Sequence, residues 1–408
     1  MKILTVVFNL DKGGTQRCAQ NFAEAYQFIG HDSRILSLYG LGVRYDEIKD
    51  TITIYNGLNS INDIIIWMPD IIHLHSHNLK NDDVSFLLKC CNLSTAIETN
   101  VFSRPSPWAS KILVSFQLSN WANWIFNLRK GKYYKTAIVP NPIKINNFLK
   151  IDKYKEKLNF CNNFGIDINS KIIGRIGQSY NKKWSLHLIN IFEDLKKIDN
   201  SFHLIVINPP ASIISRILIS NSRKSITIID KIIGDENLNK MYAALDLTVL
   251  IAEQGESFGM VIAESILSGT PVATLSTPWA DNSQCEVSGL FYNPMVSNNL
   301  KSLRKNILEY FQKSKEDQNE LQINLTNHII TSYDSIAIAK LALENIYIND
   351  NTKNDIKFYK ILNKINHNYL TNFLLSCNSN ILRKFTIFTT GYFSVLDIPI
   401  ILKNKLFR

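Results

Sequence analysis

The stretch "GESFGMVIAESILSGTPVA", residues 255–273, decides the fold. Before it, "LDLTVLIA" (245–252) reads as a buried strand rich in Leu and Val, and "TPVATLS" (270–276) reads as the next strand. Between them, "SFGMVIAESILSG" predicts a helix with Ser257 as N-cap, Gly269 as stop and Pro271 just beyond. Strand, loop, helix and strand in that order imply a parallel sheet. Ligands of such sheets sit beyond the carboxyl ends of the strands. Glu256 falls there, just before a helix N-terminus whose free N–H groups and dipole favour an anion. Glu264 is harder to place. At about 100° per residue, Glu264, Ser265 and Ser268 share an arc of roughly 100°. Taken alone, that geometry predicts a narrow solvated stripe.

The same alternation extends in both directions. "KILTVVF" (2–8), "HDSRILSLYG", "PDIIHLHSHN" (69–78), "STAIETN" (94–100), "KILVSF" and "TAIVPNPI" (136–143) read as strands of a first doubly wound domain, 1–145. "DKGGTQRCAQNFAEAYQFIG" (11–30) is a glycine turn, a helix and a glycine stop. Residues 146–170 are polar and rich in Asn and Lys, which predicts a linker. A second strand–helix series, 171–350, starts with "KIIGRIG" and continues through "FHLIVINPP" and "SITIID" to the opening stretch, with helices expected at 300–315 and 334–347. The tail, 351–408, carries nine Lys and Arg against two acids, most of the chain's net charge of +10. Its stretch 358–375 has helical amphipathic spacing. A helix of that kind packs on the body or lies in a membrane interface. A basic tail favours an anionic partner, which here means a membrane surface or nucleic acid, unless it is simply solvated.

Length and composition exclude several classes. A chain of 408 residues has room for two sizeable cores. The apolar opening "MKILTVVFNL" is short for a secretory signal, and no run reaches the 18 apolar residues of a membrane span. The six cysteines form no CxxC pair, which fits reduced thiols in a cytosol.

Three further clusters carry chemistry. Gly13 and Gly14 lie between a first strand and a first helix, where glycine lets backbone approach a phosphate; a tight turn is the plainer account. In "GRIGQSYNKKW" (174–184), Arg175, Lys182 and Lys183 follow a strand and offer fixed positive charge to a leaving diphosphate, or simply surface basicity. His73, His75 and His77 alternate along a strand. Zinc is one reading of them, but no Cys/His/Asp cluster lies nearby in sequence, so a polar strand end suffices. No Asp-x-Asp occurs, so the carboxylate pair of that type is absent and no metal site is expected.

Together these pieces resemble the retaining glycosyltransferases of family 4, over roughly residues 1–345. "GESFGMVIAESILSGTPV" looks like that family's E-x7-E signature, and "DKGGTQR" is similar to its N-terminal glycine loop. "VPNPIKINNF" (139–148) is similar to its interdomain segment, with Pro142 in place of the usual Gly. "GRIG…KKW" resembles its diphosphate-holding Arg/Lys pair, and "TPWADNSQCE" (277–286) resembles an acidic–amide segment of some members. The resemblance implies an α/β protein of GT-B fold, with two Rossmann-like domains facing across a cleft and a helical C-terminal extension. The first domain would be the acceptor side and the second the nucleotide-sugar donor side.

It also implies roles. Glu256 would contact donor-sugar hydroxyls, and Glu264 would accept hydrogen bonds from the ribose diol. Gly13, Gly14, Arg175, Lys183, Phe258, Gly259 and Met260 would complete the donor site. A carboxylate suits a diol because it only accepts, and charge-assisted bonds of this kind contribute about 1.5–3 kcal/mol each. Asn100 stands where many members carry a histidine. An amide is no proton shuttle near neutral pH, although it can still donate to a sugar. The implied function is transfer of a hexose, with retention, from a nucleoside-diphosphate sugar (UDP-sugar favoured) to a hydroxyl of a glycan or lipid-linked glycan. No cofactor or metal is expected, nor any nucleic-acid partner. The expected location is cytoplasmic, peripheral on the inner membrane face where the tail binds lipid. A nucleotide-sugar epimerase and a non-catalytic glycan-binding subunit are the alternatives. A nicotinamide dehydrogenase lacks its dinucleotide fingerprint here.

Overall fold

The computed structural model describes residues 1–129, 135–149, 151–232, 234–277 and 281–347. The tail reading at 351–408 therefore lies outside the described residues. Seven strands form the first sheet: β1 (Lys2–Val7), β2 (Asp32–Ser37), β3 (Thr53–Asn56), β4 (Ile71–His75), β5 (Thr95–Asn100), β6 (Val114–Gln117) and β7 (Thr136–Ile138). Six form the second: β8 (Lys171–Ile176), β9 (Phe202–Ile207), β10 (Ile226–Ile229), β11 (Leu247–Leu250), β12 (Val272–Leu275) and β13 (Val296–Ser297). Every pairing is parallel, and the orders are β3-β2-β1-β4-β5-β6-β7 and β10-β9-β8-β11-β12-β13. Central strands such as "KILTVV" and "KIIGRI" are apolar along almost their whole length because helices cover both faces. The short edge strands β3 and β13 lack that signal and were not anticipated.

Each sheet reverses its winding once, between β1 and β4 in the first and between β8 and β11 in the second. At such a switch the neighbouring loops diverge and open a crevice. The connections after β1, β8 and β11 carry the glycine pair, Lys183 and Glu256, and Arg175 stands at the carboxyl end of β8 itself.

Two boundaries differ from the sequence reading. The polar stretch 146–170 is no free linker. It contains the helix Lys153–Phe164, capped by Asp152, whose carboxylate accepts the Lys155 N–H at 3.1 Å. Phe160 and Cys161 bury this helix against Tyr242 and Ala244 of the second domain. At the far end, the helix Lys315–Tyr333 packs Leu321, Leu325, Ile329 and Tyr333 into the second core, but the helix Ser335–Tyr347 does not stay there. Its Ile338, Ala339, Ala342 and Leu343 pack with Phe22, Ala25 and Tyr26 of the first domain. The chain thus crosses twice at one point. Ile143 N–H donates to Tyr333 O at 2.8 Å, and Ser335 N–H donates back to Ile143 O at 3.0 Å. Residues 335–347, expected with the donor side, belong in space to the first domain. Five of the cysteines lie among the described residues, and all five are free thiols.

Candidate active site

The helix expected from Ser257 starts later, at Met260, and runs to Leu267. Gly259, at φ 102°, turns the chain into it. Residues 255–259 are therefore a loop pressed on its neighbours. Gly255 has φ 62°, and a Cβ there would meet Asp281 O at 1.8 Å, so only glycine lets these two backbones touch. Across the cleft, Gly14 opens the helix Gly14–Phe28, and a Cβ on it would stand 4.0 Å from Met260 Cγ. Two helix N-termini thus approach one another from opposite domains, which concentrates positive potential between them.

Three predicted residues converge beside them. The Glu256 carboxylate pairs with the Lys183 ammonium, and Arg175 Nη2 lies 3.9 Å from its other oxygen. Arg175 is fully buried, over the Trp184 ring at 5.0 Å, and donates to the carbonyls of Ile176 and Lys183, the latter at 2.7 Å. Burial pulls its guanidinium below the ordinary value, and Glu256 opposes that. Lys183 is the more accessible cation, with 28% of its side chain exposed. Arg175 shapes the loop from behind, and Lys183 projects the charge.

Glu264 is not on a solvated stripe. Glu264, Ser265 and Ser268 are all buried, because the helix Met260–Leu267 has neighbours on every side. One Glu264 oxygen accepts from Arg17 Nη1 at 2.9 Å and the other from Tyr242 Oη at 3.2 Å. Arg17 belongs to the first domain and reaches Asp235 of the second at 2.5 Å with its other nitrogen. Burial alone would lower the Arg17 guanidinium, but Glu264 and Asp235 outweigh it and hold it above its usual value. Sequence reasoning missed Arg17, Tyr242 and Asp235. Arg17 was visible only as part of "DKGGTQR", on the helix face turned to the other domain.

The remaining predicted residues take other places. Phe258 is buried against Tyr333, with ring centroids 5.3 Å apart, so its side chain anchors the loop in the core. Gly13 is extended, at φ 179°, and carries no backbone strain. Asn100 spends its amide on its own loop: it donates to Arg104 O at 2.7 Å and accepts Arg104 N–H at 3.2 Å. His73 is buried and bonded to Tyr26 Oη at 3.1 Å and Thr99 Oγ1 at 2.8 Å. Burial lowers His75 to about 3, and His77 packs edge-on to Phe102 at 5.0 Å. Among the described residues, no group of three or more His, Cys, Asp or Glu side chains is placed to hold a metal.

Residues 170–311 match the family described as "Glycosyl transferases group 1". No curated protein matches the chain. Among solved structures, HepE of Anabaena, crystallised with UDP and glucose, is 15% identical with a TM-score of 0.68, over 85% of this chain and 99% of its own. A glycosyltransferase from Rickettsia africae is 17% identical at a TM-score of 0.68, with the same two coverages. A variant of TarM from S. aureus, with UDP, Fondaparinux and alpha-GlcNAc-glycerol bound, is 12% identical at 0.65, over 85% of this chain and all of its own. At these identities the likeness establishes the two-domain GT-B fold. The chain carries a glycosyl transferases group 1 domain at residues 170–311 within a GT-B fold, and it is a glycosyltransferase.

Proposed function

We propose that the chain is a retaining hexosyltransferase that takes a nucleoside-diphosphate sugar, UDP-sugar by preference, and transfers the hexose to a hydroxyl of a glycan or lipid-linked glycan. The observation that carries this reading is the meeting of Glu256, Lys183 and the two opposed helix N-termini at the switch points of both sheets. The complexes of HepE and TarM with UDP support the choice of nucleotide.

In this reading the diphosphate lies between the helix N-termini, and Lys183 moves from Glu256 onto a phosphate oxygen. Glu256 is then free to accept from sugar hydroxyls. The bond from the sugar's anomeric carbon to the phosphate oxygen breaks with its electron pair going to the phosphate. The acceptor oxygen bonds to the same face, and its proton passes to the departing phosphate oxygen. A side-chain base is unnecessary, which suits an Asn100 tied to its own loop. Developing negative charge is met by preorganised donors and needs no metal. Glu264 offers the ribose diol a carboxylate already held in place by Arg17 and Tyr242.

The test is calorimetry with UDP and the other nucleoside diphosphates, followed by mass spectrometry and anomeric NMR of the product formed from a nucleotide-sugar panel. Retention in a transferred hexose supports the proposal. Sugar released only to water, or no turnover with any donor, rejects it in favour of an epimerase or a binding subunit.

A further inference from the structure

The segment Asn282–Glu286 touches both the Glu256 loop and the first domain, through neighbouring side chains. Gln284 Oε1 accepts the Glu256 backbone N–H at 3.0 Å. The Gln284 amide nitrogen is fixed by Leu275 O at 3.1 Å and Thr277 Oγ1 at 2.8 Å. Asn282 Oδ1 accepts the Thr277 N–H at 2.7 Å. One residue before Gln284, Ser283 Oγ meets Ser119 Oγ of the first domain at 2.6 Å. Two residues after Gln284, Glu286 accepts the backbone N–H of Trp121 at 2.7 Å, and the backbone N–H and side-chain amide of Asn120 at 3.0 Å each. Asn120 and Trp121 begin the helix Asn120–Arg129. A second-domain carboxylate therefore caps a first-domain helix, where free N–H groups and the dipole favour negative charge. Among the described residues, no cation pairs with the Glu286 carboxylate, which accepts from these three N–H donors. Its fourth anchor is a backbone one, His328 Nε2 on Glu286 O at 2.9 Å.

We infer that Glu286 is a positioning residue: by capping the helix Asn120–Arg129 across the cleft, it couples closure of the two domains to the placement of Glu256, through Gln284. The physical reason is the shortness of the connection. Gln284 and Glu286 lie on one helical turn, Gln284–Val287, whose backbone cannot shift at one residue and stay still two residues away. With the cap made, Gln284 holds the Glu256 N–H and the loop is fixed. When the domains part, Asn120 and Trp121 withdraw their donors, the turn loses its outer anchor, and the Glu256 loop loosens with it. The sugar-contacting carboxylate is then in place only when the acceptor domain is also in place, which discourages donor hydrolysis in the open cleft. This inference rests on the donor reading for its purpose, but not for its test.

Hydrogen exchange of the full chain without ligand, resolved by peptide, decides it. Glu286→Ala is expected to accelerate exchange in the 119–123 region on the order of tenfold, the usual effect of losing a helix cap. It should also accelerate exchange across 253–258. Glu286→Gln keeps one acceptor and should give a smaller rise in both places, and it replaces the alanine variant if that one fails to fold. Acceleration at 119–123 alone, with 253–258 unchanged, makes Glu286 a local cap and overturns the coupling. A second arm adds UDP to the parent protein. Protection at 253–258 that extends to 119–123, and that no longer extends there in the variant, supports the inference. Protection confined to 253–258 counts against it. Absence of UDP protection everywhere rejects the donor reading, while the ligand-free arm still decides the coupling.

Discussion

Glu256 and Lys183 stand or fall together in the donor reading, because each balances the other's charge in the cleft. Glu256→Ala is expected to reduce transfer by about 10²–10³, the usual effect of removing one preorganised polar contact, with an unchanged melting temperature. Near-parental turnover would remove Glu256 from the site. Lys183→Ala should instead weaken binding of UDP itself, which calorimetry measures; unchanged affinity would reject its role. Arg17 has a different kind of effect. Breaking a buried ion pair at one partner typically costs about 3–5 kcal/mol, since the other charge stays behind. Among the described residues, Arg17→Met leaves the buried Glu264 carboxylate with Tyr242 as its side-chain partner, so equilibrium denaturation should register a loss at the upper end of single substitutions. Stability within about 0.5 kcal/mol of the parent, the range of an ordinary surface change, would mean that the domains part at no cost when the pair is gone.

At the scale of elements, the helix Lys153–Phe164 has an unusual anchor. The Lys153 ammonium is inserted beneath the second domain, donating to Leu245 O at 2.9 Å and to Thr270 Oγ1. Burial lowers it to about 8, with Asp246 opposing. An unfolded lysine holds its proton to about 10.4, so between those values the unfolded chain binds the extra proton and stability rises with pH. Below that window the buried charge is a standing cost. Lys153→Met removes it, and Leu245 O keeps its bond from Thr270 Oγ1 at 3.0 Å. The variant should melt above the parent at neutral pH, and the gap should close as pH climbs to about 10. A gap independent of pH would show that Lys153 acts by packing alone. The loop before the helix Met260–Leu267 has an apolar anchor instead. Phe258→Ala opens a cavity beside Tyr333 and should cost about 3–5 kcal/mol. A variant that keeps full stability but loses donor binding would return Phe258 to the donor site.

For the whole molecule, the double crossing at Ile143 and Asp334 makes the domains interdependent. The helix Ser335–Tyr347 completes the first domain's core, and burying its Ile338 and Leu343 contributes about 1.5–3 kcal/mol each. A chain ending at Tyr333 should therefore be insoluble or show a lost first-domain transition by calorimetry. A chain ending at Tyr347 should melt like the parent. The residues beyond it lie outside the described structure, and their basic charge motivates a separate proposal, that they hold the enzyme at an anionic membrane. Each Lys or Arg near such a surface contributes about 1 kcal/mol, screened by salt. The full chain should float with anionic vesicles, release in high salt, and stay in solution once truncated at 347. Flotation that survives truncation, or none at all, rejects it. Among the described residues, no helix is long and apolar enough to cross a membrane.

Local signals sufficed where the chemistry is local. The alternation of apolar runs with helical spacing yields two parallel sheets, because a strand buried on both faces must be apolar throughout. Glycines beside carboxylates and lysines at strand ends pointed to the cleft, because a parallel sheet leaves only its carboxyl edge for ligands. Contacts across the cleft were illegible, since they join residues far apart in the chain. Nothing near Glu264 signals that Arg17, 247 positions away, removes it from solvent. Nothing near Glu286 signals a helix N-terminus 165 and 166 positions upstream. The home of residues 335–347 was hidden for the same reason. An amphipathic helix declares that it must bury one face, and only the packed structure decides which core receives it.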